Sequence, residues 1–508
     1  YLWEEVFSDL GAEDRTFLSR ISVLHGPVDL ALAAAVAQEE RARERFYALE
    51  RRHLCVPVGE AFVIHDVVRQ FAAKLGKVGP ETHARAARAL LQRGDLSDAL
   101  EAMGHFLEAG QPREALALVR RELDDPSYRF VDMGLAAAYD AVLQRLAPAL
   151  DLEERAAVLL ERAHCQITIG PSRDALALLD EADRAAPKAA ARLKLRRFFL
   201  EAEARYRANE PALSAKLYTR VMELAERSGD ARVVADALLG RANAQEDQGK
   251  FALAVRDYTR ALAVSRAEGD SRRVALLEAG LARTMIHTAR RGEALRHLQA
   301  GLEAAQAFDD VRAEANLRRA MTEFWLFQRD YDKAWDAAEN YLAASQRLGD
   351  PWGVCCALTD SAWIAVHRRR FPDAERLARE VMRIHRRTPL PFFEEQAEAM
   401  MVLCAGATGR WAEFEAAARA LSPTAAGMQW FYGTVYINDL ERALEELLTP
   451  ADLPMAQRML KQRGLAPWVR EPLERFARAQ AKRRRLPATI PEHAPPRRQA
   501  AVRSARRR

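Results

Sequence analysis

Residues 229–270 read GDARVVADALLGRANAQEDQGKFALAVRDYTRALAVSRAEGD, and the pattern of this stretch recurs every 40 residues. Gly-Asp or Asp-Asp junctions mark the register at residues 229–230, 269–270, 309–310 and 349–350. A second turn signal lies midway between them, at residues 248–251, 289–292, 329–331 and 369–371. Two turn signals per period leave space for two helices. The stretch therefore predicts stacked helical hairpins.

Small residues recur at fixed positions within each period. An alanine series runs through the first helices and another through the second helices, at Ala202, Ala242, Ala282 and Ala362, and at Ala254, Ala294, Ala334 and Ala374. Small side chains let neighbouring helices approach closely. Laid on a tetratricopeptide-like (TPR-like) template, the chain has seven predicted repeats, which begin near Arg155, Arg192, Ala231, Arg272, Arg312, Trp352 and Phe392.

Length and composition agree with a long, helix-rich chain. The protein has 508 residues, of which 49% are hydrophobic and 29% charged, and Ala, Leu, Arg and Glu dominate. No apolar run reaches the roughly 18 residues of a membrane span. We therefore expect a cytoplasmic protein. Because the chain begins at Tyr1 without Met, it is also expected to be part of a longer protein.

Residues 1–75 follow a different pattern from the repeats. Helical periodicity predicts helices over residues 13–24, 29–37 and 41–51, and alternation predicts a β-hairpin of residues 54–58 and 61–64. A further helix is predicted over residues 67–75, with Asp66 in its first turn. Three helices, a hairpin and a helix are typical of a winged-helix domain.

This segment also resembles a known family. Residues 15–29 (RTFLSRISVLHGPVD), 49–54 (LERRHL) and 62–71 (FVIHDVVRQF) resemble the winged-helix segment that follows the nucleotide-binding domain of STAND-type (NB-ARC-like) signalling ATPases and transcriptional regulators. In that family the histidine of a Met-His-Asp segment contacts the β-phosphate of ADP; here Ile64 replaces the Met. The resemblance implies a nucleotide-sensing role for His65, and a weaker one for Asp66. The alternative is a histidine that packs under the hairpin at the start of a helix.

The phosphate-binding part of that family is absent from the sequence. No G-x-x-x-x-G-K-[ST] motif occurs, so no loop of backbone N–H groups and no lysine can hold the phosphates. We expect no cofactor in this chain; ADP or ATP would be bound only through a nucleotide domain that lies before Tyr1 or has been lost.

Motifs for catalysis and metal binding are likewise missing from the sequence. H-E-x-x-H, G-x-S-x-G and C-x-x-C do not occur, the 11 histidines show no metal-ligand spacing, and the five cysteines are predicted to be reduced thiols. The chain is therefore not expected to be an enzyme or to bind a metal.

The inner, concave face of the solenoid is the predicted binding surface. On the TPR template, first helices line this face, and two columns mix charged and aromatic side chains: Asn243, Arg283, Glu323 and Trp363, and Asp247, His287, Phe327 and His367. Aromatic and arginine side chains are common anchors in interfaces. We therefore expect a protein or peptide partner, or a small-molecule inducer. The alternative is that the aromatic residues belong to the core and the charges to a solvated face.

The C-terminal end is strongly basic. Residues 482–508 hold ten Lys or Arg and one Glu, so that the rest of the chain, at a total of +5, carries about −4. Lys482, Arg483, Arg484 and Arg485 open this segment. Charge alone would allow contact with nucleic acid, but without interleaved aromatic residues a solubilising tail is the expected role, and no membrane partner is expected.

The predicted fold class is all-α, a TPR-like α-solenoid of about seven 40-residue hairpins preceded by a small winged-helix domain. The predicted domains are a winged-helix-like domain, a helical connector, the TPR-like superhelix, a C-terminal helical cap and a basic disordered tail, at residues 1–78, 79–150, 151–425, 426–485 and 486–508. The leading functional hypothesis is the sensor and scaffold region of a STAND-type signalling protein. A stand-alone TPR adaptor for assembling protein complexes and a DNA-associated transcriptional regulator are the alternatives.

Overall fold

A computed structural model gives the architecture of most of the chain. It describes residues 9–75, 78–124, 130–187, 190–306, 310–390, 393–410, 412–414, 416, 444–445, 448–461 and 467–485. Described residues up to Met400 form one compact unit and those from Met401 onward form a second, and each unit is considered by itself.

The N-terminal domain combines four helices with a small sheet. The helices are α1 (Ala12–Ile21), α2 (Leu30–Ala37), α3 (Ala42–Glu50) and α4 (Asp66–Leu75), and the strands are β1 (Val28–Asp29), β2 (Cys55–Val58) and β3 (Ala61–Ile64). The sheet is antiparallel in the order β1-β3-β2. The winged-helix prediction is confirmed. Strand β1 was not predicted, because two residues are too few to show an alternating pattern.

Stacked aromatic rings form the core of this domain. Phe46 lies 4.2 Å from Phe62 in a stacked pair and 5.2 Å from Phe17 in an edge-to-face pair, measured between ring centroids. Such pairs stabilise the core beyond the burial of their area. They hold α1 and α3 against the hairpin.

Four helices lead from this domain towards the repeats: α5 (Pro80–Arg93), α6 (Leu96–Glu108), α7 (Pro112–Asp124) and α8 (Ala136–Leu146). Helix α5 packs on α2 of the winged-helix domain and on α6, and α8 packs on the first repeat helix. The N-terminal domain, these helices and the start of the array share a continuous hydrophobic core.

The repeats are antiparallel helical hairpins, as the 40-residue period predicts. The first helices of successive repeats are α9 (Leu152–Ile169), α11 (Ala191–Arg207), α13 (Ala231–Asp247), α15 (Ser271–His287), α17 (Val311–Phe327), α19 (Pro351–His367) and α21 (Phe393–Ala407). Their partners are α10 (Ser172–Ala185), α12 (Pro211–Ser228), α14 (Phe251–Ala267), α16 (Arg291–Gln306), α18 (Tyr331–Leu348) and α20 (Phe371–Arg387). The α-solenoid is therefore confirmed.

The Gly-Asp junctions end one hairpin and start the next. Gly229 and Gly349 adopt the left-handed conformation that closes the preceding helix, with φ of 73° and 67°. The aspartates that follow accept a hydrogen bond from a backbone N–H in the first turn of the next helix. Asp270 and Asp310 cap α15 and α17 in the same way. The repeated dipeptide is thus a helix stop followed by a helix start.

The turns inside the hairpins from α11–α12 to α19–α20, and the turn after α21, each hold a left-handed residue, whereas Gly170 between α9 and α10 is extended, with a φ of −121°. Equivalent residues there have φ between 58° and 70°, namely Asn209, Gly249, Ala289, Arg329, Arg369 and Gly409. Only two of the six are glycines, so several repeats hold a side chain in a conformation that L-residues disfavour.

Close helix packing follows the predicted columns of small residues. The alanines of both series are fully buried or nearly so. Gly280 of α15 approaches the second helix so closely that a Cβ atom there would lie 2.4 Å from the Tyr258 ring. Gly240 meets Tyr218 in the same way one repeat earlier, at 2.2 Å. These glycines let a bulky tyrosine fill the groove between helices.

The array curves back on itself within the first unit. Helices α9 and α19, five repeats apart, contact each other. Arg312 of α17 donates to Thr168 Oγ1 of α9 at 3.0 Å, and Arg207 of α11 lies 3.3 Å from Asp350 at the start of α19. The first helices therefore surround an enclosed space on the inner face of the array.

Described parts of the second unit include two further helices that pack on each other, α22 (Leu453–Met459) and α23 (Pro467–Arg485). Helix α23 lies within the predicted C-terminal cap, and it begins at Pro467, where a proline loses no helical hydrogen bond. Much of the predicted cap, and the whole of the predicted basic tail at residues 486–508, lie outside the described residues. None of the described helices is both long and apolar enough to cross a membrane.

Candidate ligand-binding cavity

A cavity of about 530 Å³ lies on the inner face of the array. It is lined by helices α9, α11, α12, α13, α15, α17 and α19, and by Asp132 of the connector. One part of its lining is apolar, and consists of Leu193, Leu195, Phe199, Val233, Leu239, Leu276 and Trp352. Seven arginines contribute the cationic part: Arg192, Arg196, Arg207, Arg232, Arg283, Arg312 and Arg319. The volume and the mixed lining are those of a site for a small ligand or peptide segment.

Arg207 and Arg319 both lie over the ring of Trp352. Their guanidinium carbons are 4.8 Å and 5.2 Å from the ring centroid, so the two cations lie within about 10 Å of each other. Asp350 holds Arg207 through contacts of 3.3 Å from both Nη atoms. Burial opposes the charge of Arg207, but Asp350 and Glu203 raise its pKa above the ordinary value. Both arginines therefore stay charged beside an aromatic face.

A second arginine is fixed by a buried network. Arg283 Nη2 donates to Glu246 Oε2 at 2.7 Å and to Asn243 Oδ1 at 3.1 Å, and Tyr258 Oη donates to the same two residues at 2.9 Å and 2.6 Å. Burial works against the Glu246 carboxylate, but Arg283 lowers its pKa below the ordinary value. The network thus holds a charged guanidinium at the cavity wall.

Arg312 and Arg196 connect the cavity to the start of the array. Arg312 Nε lies 2.6 Å from Asp132 Oδ1, in addition to its bond with Thr168. Arg196 donates to Glu161 Oε1 at 3.0 Å and contacts the Nδ1 atom of His164 at the same distance. These contacts lie at one end of the cavity and bridge distant parts of the chain.

Arg319 makes few contacts with the described residues around it. Only 9% of the residue is exposed, yet among the described residues its guanidinium makes no hydrogen bond. Its contacts are a 3.4 Å ion pair between its Nε and Glu323 Oε1 and the face of Trp352. A buried donor without a partner costs free energy. A ligand that accepts hydrogen bonds from Arg319 would remove that cost.

Asp247 is a half-buried acid near the end of α13 and is not among the cavity-lining residues. Burial first, and the adjacent Glu246 second, raise its carboxyl pKa to about 6. Its Oδ2 atom is buried without a hydrogen-bond partner in the described part of the chain. Asp247 is thus close to half protonated near pH 6 and contributes little negative charge below it.

Two of the eight predicted inner-face residues line the cavity, Asn243 and Arg283. Asp247 and Glu323 do not line it, and Glu323 is buried and pairs with Arg319. Trp363 is buried, with 4% exposure, and packs edge-to-face on His367 rather than lining the cavity.

The column of His287, Phe327 and His367 has a packing role. His287 stacks on Phe251 at 5.4 Å and meets Phe327 edge-to-face at 5.6 Å, while His367 stacks on Tyr331 at 4.9 Å. Each such histidine ends a first helix and covers an aromatic residue that begins a second helix. This column lies outside the lining of the cavity.

His65 and Asp66 lie at the surface of the winged-helix domain. Both are exposed, so His65 does not pack under the hairpin. Its carbonyl accepts from the Arg69 N–H at 2.9 Å, and Asp66 forms an ion pair with Arg69.

The remaining predicted positions give less information. Lys482 is exposed near the end of α23, which also includes the backbone of Arg483, Arg484 and Arg485. All five cysteines are buried thiols. Burial raises the pKa of the Cys55 thiol to about 12, so it stays protonated.

The predicted inner-face residues do not include the arginines that lie nearer the start of the first helices. A signal for them exists in the 40-residue register, because Arg192, Arg232, Arg272 and Arg312 occupy one column that ends in Trp352. The predicted columns lie about three and four helical turns closer to the helix ends. Four arginines in one column would have indicated a cationic inner surface.

Comparison with known proteins identifies the N-terminal domain. Residues 3–76 match the family model described as the MalT winged helix domain. This match confirms the winged-helix part of the resemblance that residues 15–71 predict. No curated protein sequence matches the chain significantly.

Similarity to solved structures concerns the fold. A STAND protein with a tetratricopeptide repeat sensor from Pyrococcus horikoshii aligns with 81% of this chain at 18% identity and a TM-score of 0.48, and the alignment covers only 63% of that protein. A Rap protein complexed with competence and sporulation factor aligns at 14% identity and a TM-score of 0.50, over 72% of this chain and 98% of that one. The quorum sensor NprR from B. thuringiensis gives 14% identity, a TM-score of 0.45, and 72% and 98% coverage. At this identity the Rap match supports the helical-repeat fold alone.

Proposed function

We propose that this chain is the sensor and scaffold region of a STAND-type signalling protein, and that its array binds a peptide, a protein segment or a small inducer in the inner cavity. The observation that carries the proposal is the cavity itself, about 530 Å³ in volume and lined by both apolar side chains and arginines. The Rap protein of similar fold is complexed with competence and sporulation factor, which supports a binding role. In this proposal the chain acts in the cytoplasm of a bacterium and has no catalytic step of its own.

The lining favours an amphiphilic ligand with an anionic group. Apolar lining residues such as Phe199, Leu239 and Leu276 would contact the body of the ligand. Arg319, with its unused donors beside Arg207, would take a carboxylate or phosphate through paired hydrogen bonds. Because such a ligand satisfies a buried donor, its binding free energy is more favourable here than at an exposed arginine.

Ligand binding can be coupled to a change in the array. Arg207 and Arg312 both line the cavity and both join helices far apart in the chain. An anion that contacts Arg207 competes with Asp350 for its donors, so it favours arrays in which that contact is loosened. A ligand shifts such an equilibrium only by the difference between its affinities for the two states.

Thermal unfolding with defined peptide pools tests the proposal. The probes are N-acetylated pentapeptides of mixed sequence, supplied with a free C-terminal carboxylate or as the C-terminal amide. We expect the carboxylate pool to raise the unfolding midpoint of the 508-residue chain more than the amide pool does. Arg319→Met should abolish the difference. Arg318→Met, on the same helix but outside the cavity lining, should leave it unchanged.

The outcomes separate binding from charge recognition. If neither pool, at concentrations up to the solubility limit, shifts the midpoint, the cavity is not a peptide site. If both pools shift it equally, or if Arg319→Met keeps the preference for the carboxylate, the cavity binds peptide without an anion contact at Arg319.

The exposed His65 gives the second part of the proposed function. In a protein that joins this chain to a nucleotide-binding domain, His65 would contact the phosphates of bound ADP and help to retain it. We expect His65→Ala to shorten the retention of ADP by that protein. His53→Ala, at another exposed histidine of the same domain, is the control. Equal ADP retention by the two variants would exclude the role.

A further inference from the structure

Three histidines and one glutamate converge where the winged-helix domain meets the connector. His25 precedes β1, His83 lies on α5, and Glu101 and His105 lie on α6. His25 and Glu101 are 76 positions apart in the sequence. This cluster lies outside the cavity and belongs to none of the predicted sites.

The spacing of three of these side chains fits a metal ion. Glu101 Oε1 lies 3.3 Å from His25 Nδ1 and 3.6 Å from His105 Nε2, and all three atoms lie within 4.8 Å of one another. A tetrahedral zinc ion with ligand bonds of about 2.0–2.1 Å places neighbouring ligand atoms about 3.4 Å apart. Two neutral imidazoles and a carboxylate form a ligand set that zinc accepts.

His105 supplies an independent indication of a ligand. Only 4% of the residue is exposed, and its Nε2 atom has no hydrogen-bond partner among the described residues. Its other ring nitrogen, Nδ1, lies 3.0 Å from His83 Nδ1. A buried ring nitrogen without a partner is costly. A hydrogen bond from His105 Nδ1–H to His83 would leave the Nε2 lone pair directed towards Glu101, as in a metal-bound histidine.

We propose that His25, Glu101 and His105 bind a zinc ion, with His83 as the hydrogen-bonded partner that orients His105. The side chain of His25 is 71% exposed, so the ion can enter from solvent and a water molecule can take the fourth position. Glu101 Oε1 also accepts from the His25 backbone N–H at 2.7 Å, which fixes the carboxylate in place. The carboxylate has lone pairs enough for both contacts.

Zinc at this position would join two parts of the first unit. His25 belongs to the winged-helix domain, and Glu101 and His105 to the connector that leads into the array. Without the ion, the His25–Glu101 contacts are hydrogen bonds at a partly exposed surface, and such contacts add little stability. Bound zinc would stiffen the junction. This inference does not depend on ligand binding in the cavity.

Zinc binding by the metal-free 508-residue chain tests the proposal. The probe is Zn²⁺ alone, titrated in competition with a coloured chelator, and Co²⁺ absorption reports whether the coordination is tetrahedral. We expect one tight equivalent in the unchanged protein and a rise in its thermal midpoint. His83→Ala should weaken zinc binding about 10- to 100-fold, as loss of an outer partner does, and His25→Ala by more than that.

His65→Ala is the matched control, because His65 is an exposed histidine of the same domain outside the cluster. It should bind zinc like the unchanged protein. His105 is buried, so its replacement can disturb folding, whereas replacement of the exposed His25 tests the site without that difficulty. Equal zinc affinity of His25→Ala and His65→Ala, or a Co²⁺ spectrum without tetrahedral character in the unchanged protein, would overturn the inference.

Discussion

Replacing Arg283 by Met should destabilise the centre of the array strongly. Arg283 and Glu246 are 7% and 5% exposed, and the arginine donates to Glu246 at 2.7 Å across two first helices. The substitution preserves much of the side-chain volume but removes the charge that compensates Glu246. It leaves a buried carboxylate with one remaining donor, Tyr258 Oη, at 2.9 Å.

The expected cost follows from the burial of both partners. Breaking a buried ion pair by removing one partner costs about 3–5 kcal/mol. The Tyr258 hydrogen bond persists and places the cost near the lower end of that range. Since about 1.4 kcal/mol corresponds to a factor of ten, local opening of α13 and α15 should become about 100-fold or more frequent.

Hydrogen exchange is the appropriate assay, because a repeat array need not unfold in a single step. Exchange is measured by mass spectrometry on peptides covering α13 and α15, where opening free energies are read locally. Arg318→Met on α17 is the matched control. Arg318 is paired with Glu314 at 3.7 Å in a partly exposed setting. Arg318→Met should change the free energy of local opening by less than about 1 kcal/mol.

The pH dependence supplies a second test of the same change. In the unchanged protein Arg283 holds the Glu246 pKa below its ordinary value of 4.5, so this stabilisation is present above pH 4.5 and is lost as the pH falls through the lower folded-state pKa. Without Arg283, burial raises the Glu246 pKa instead, and the variant gains a proton as the pH falls. The stability gap between the two proteins should therefore narrow between pH 7 and pH 4.5. This account of the network would be refuted if Arg283→Met exchanged no faster than Arg318→Met. It would also be refuted if the stability difference between Arg283→Met and the unchanged protein did not depend on pH.

Two further predictions concern backbone positions in the array. Gly280→Ala should destabilise the protein by about 1–3 kcal/mol in thermal unfolding, because its Cβ would lie 2.4 Å from the Tyr258 ring. The control is Gly292→Ala, where a Cβ meets nothing within 4 Å, and it should be neutral or stabilise the protein by about 0.5–1 kcal/mol. Similar effects of the two substitutions would contradict the packing argument. Ala289→Gly should stabilise by roughly 0.5–1 kcal/mol, because Ala289 holds a φ of 61°, and a lower unfolding midpoint would show that the turn carries no strain.

Local patterns were sufficient for the helices of the array and for most of the winged-helix domain. The Gly-Asp junctions predict where α13 and α15 begin because they combine a helix stop with an N-cap, and both are contacts between near neighbours in the chain. The first alanine column predicts close packing because Ala242 and Ala282 occupy equivalent places on equivalent helices, and both are completely buried.

Predicting the inner surface from one column of the repeat was less successful. Asn243 and Arg283 line the cavity, whereas Glu323 and Trp363 of the same column are buried. A column defines one face of every first helix. What that face meets depends on which helices stand opposite, and the contact of α9 with α19 is not encoded in any single repeat.

By itself, the sequence determined the positions of most of the helices and the hairpins, the winged-helix domain and the absence of a phosphate loop from this chain. These features depend on side chains within one or two helical turns of each other, or on a repeat that copies the same contacts. Only the tertiary structure brought Arg207 to Asp350 and His25 to Glu101 and His105. Such contacts depend on the curvature of the array and on how one domain packs on the next. Both result from many small rotations between neighbouring helices, and these rotations produce no recognisable residue spacing in the sequence.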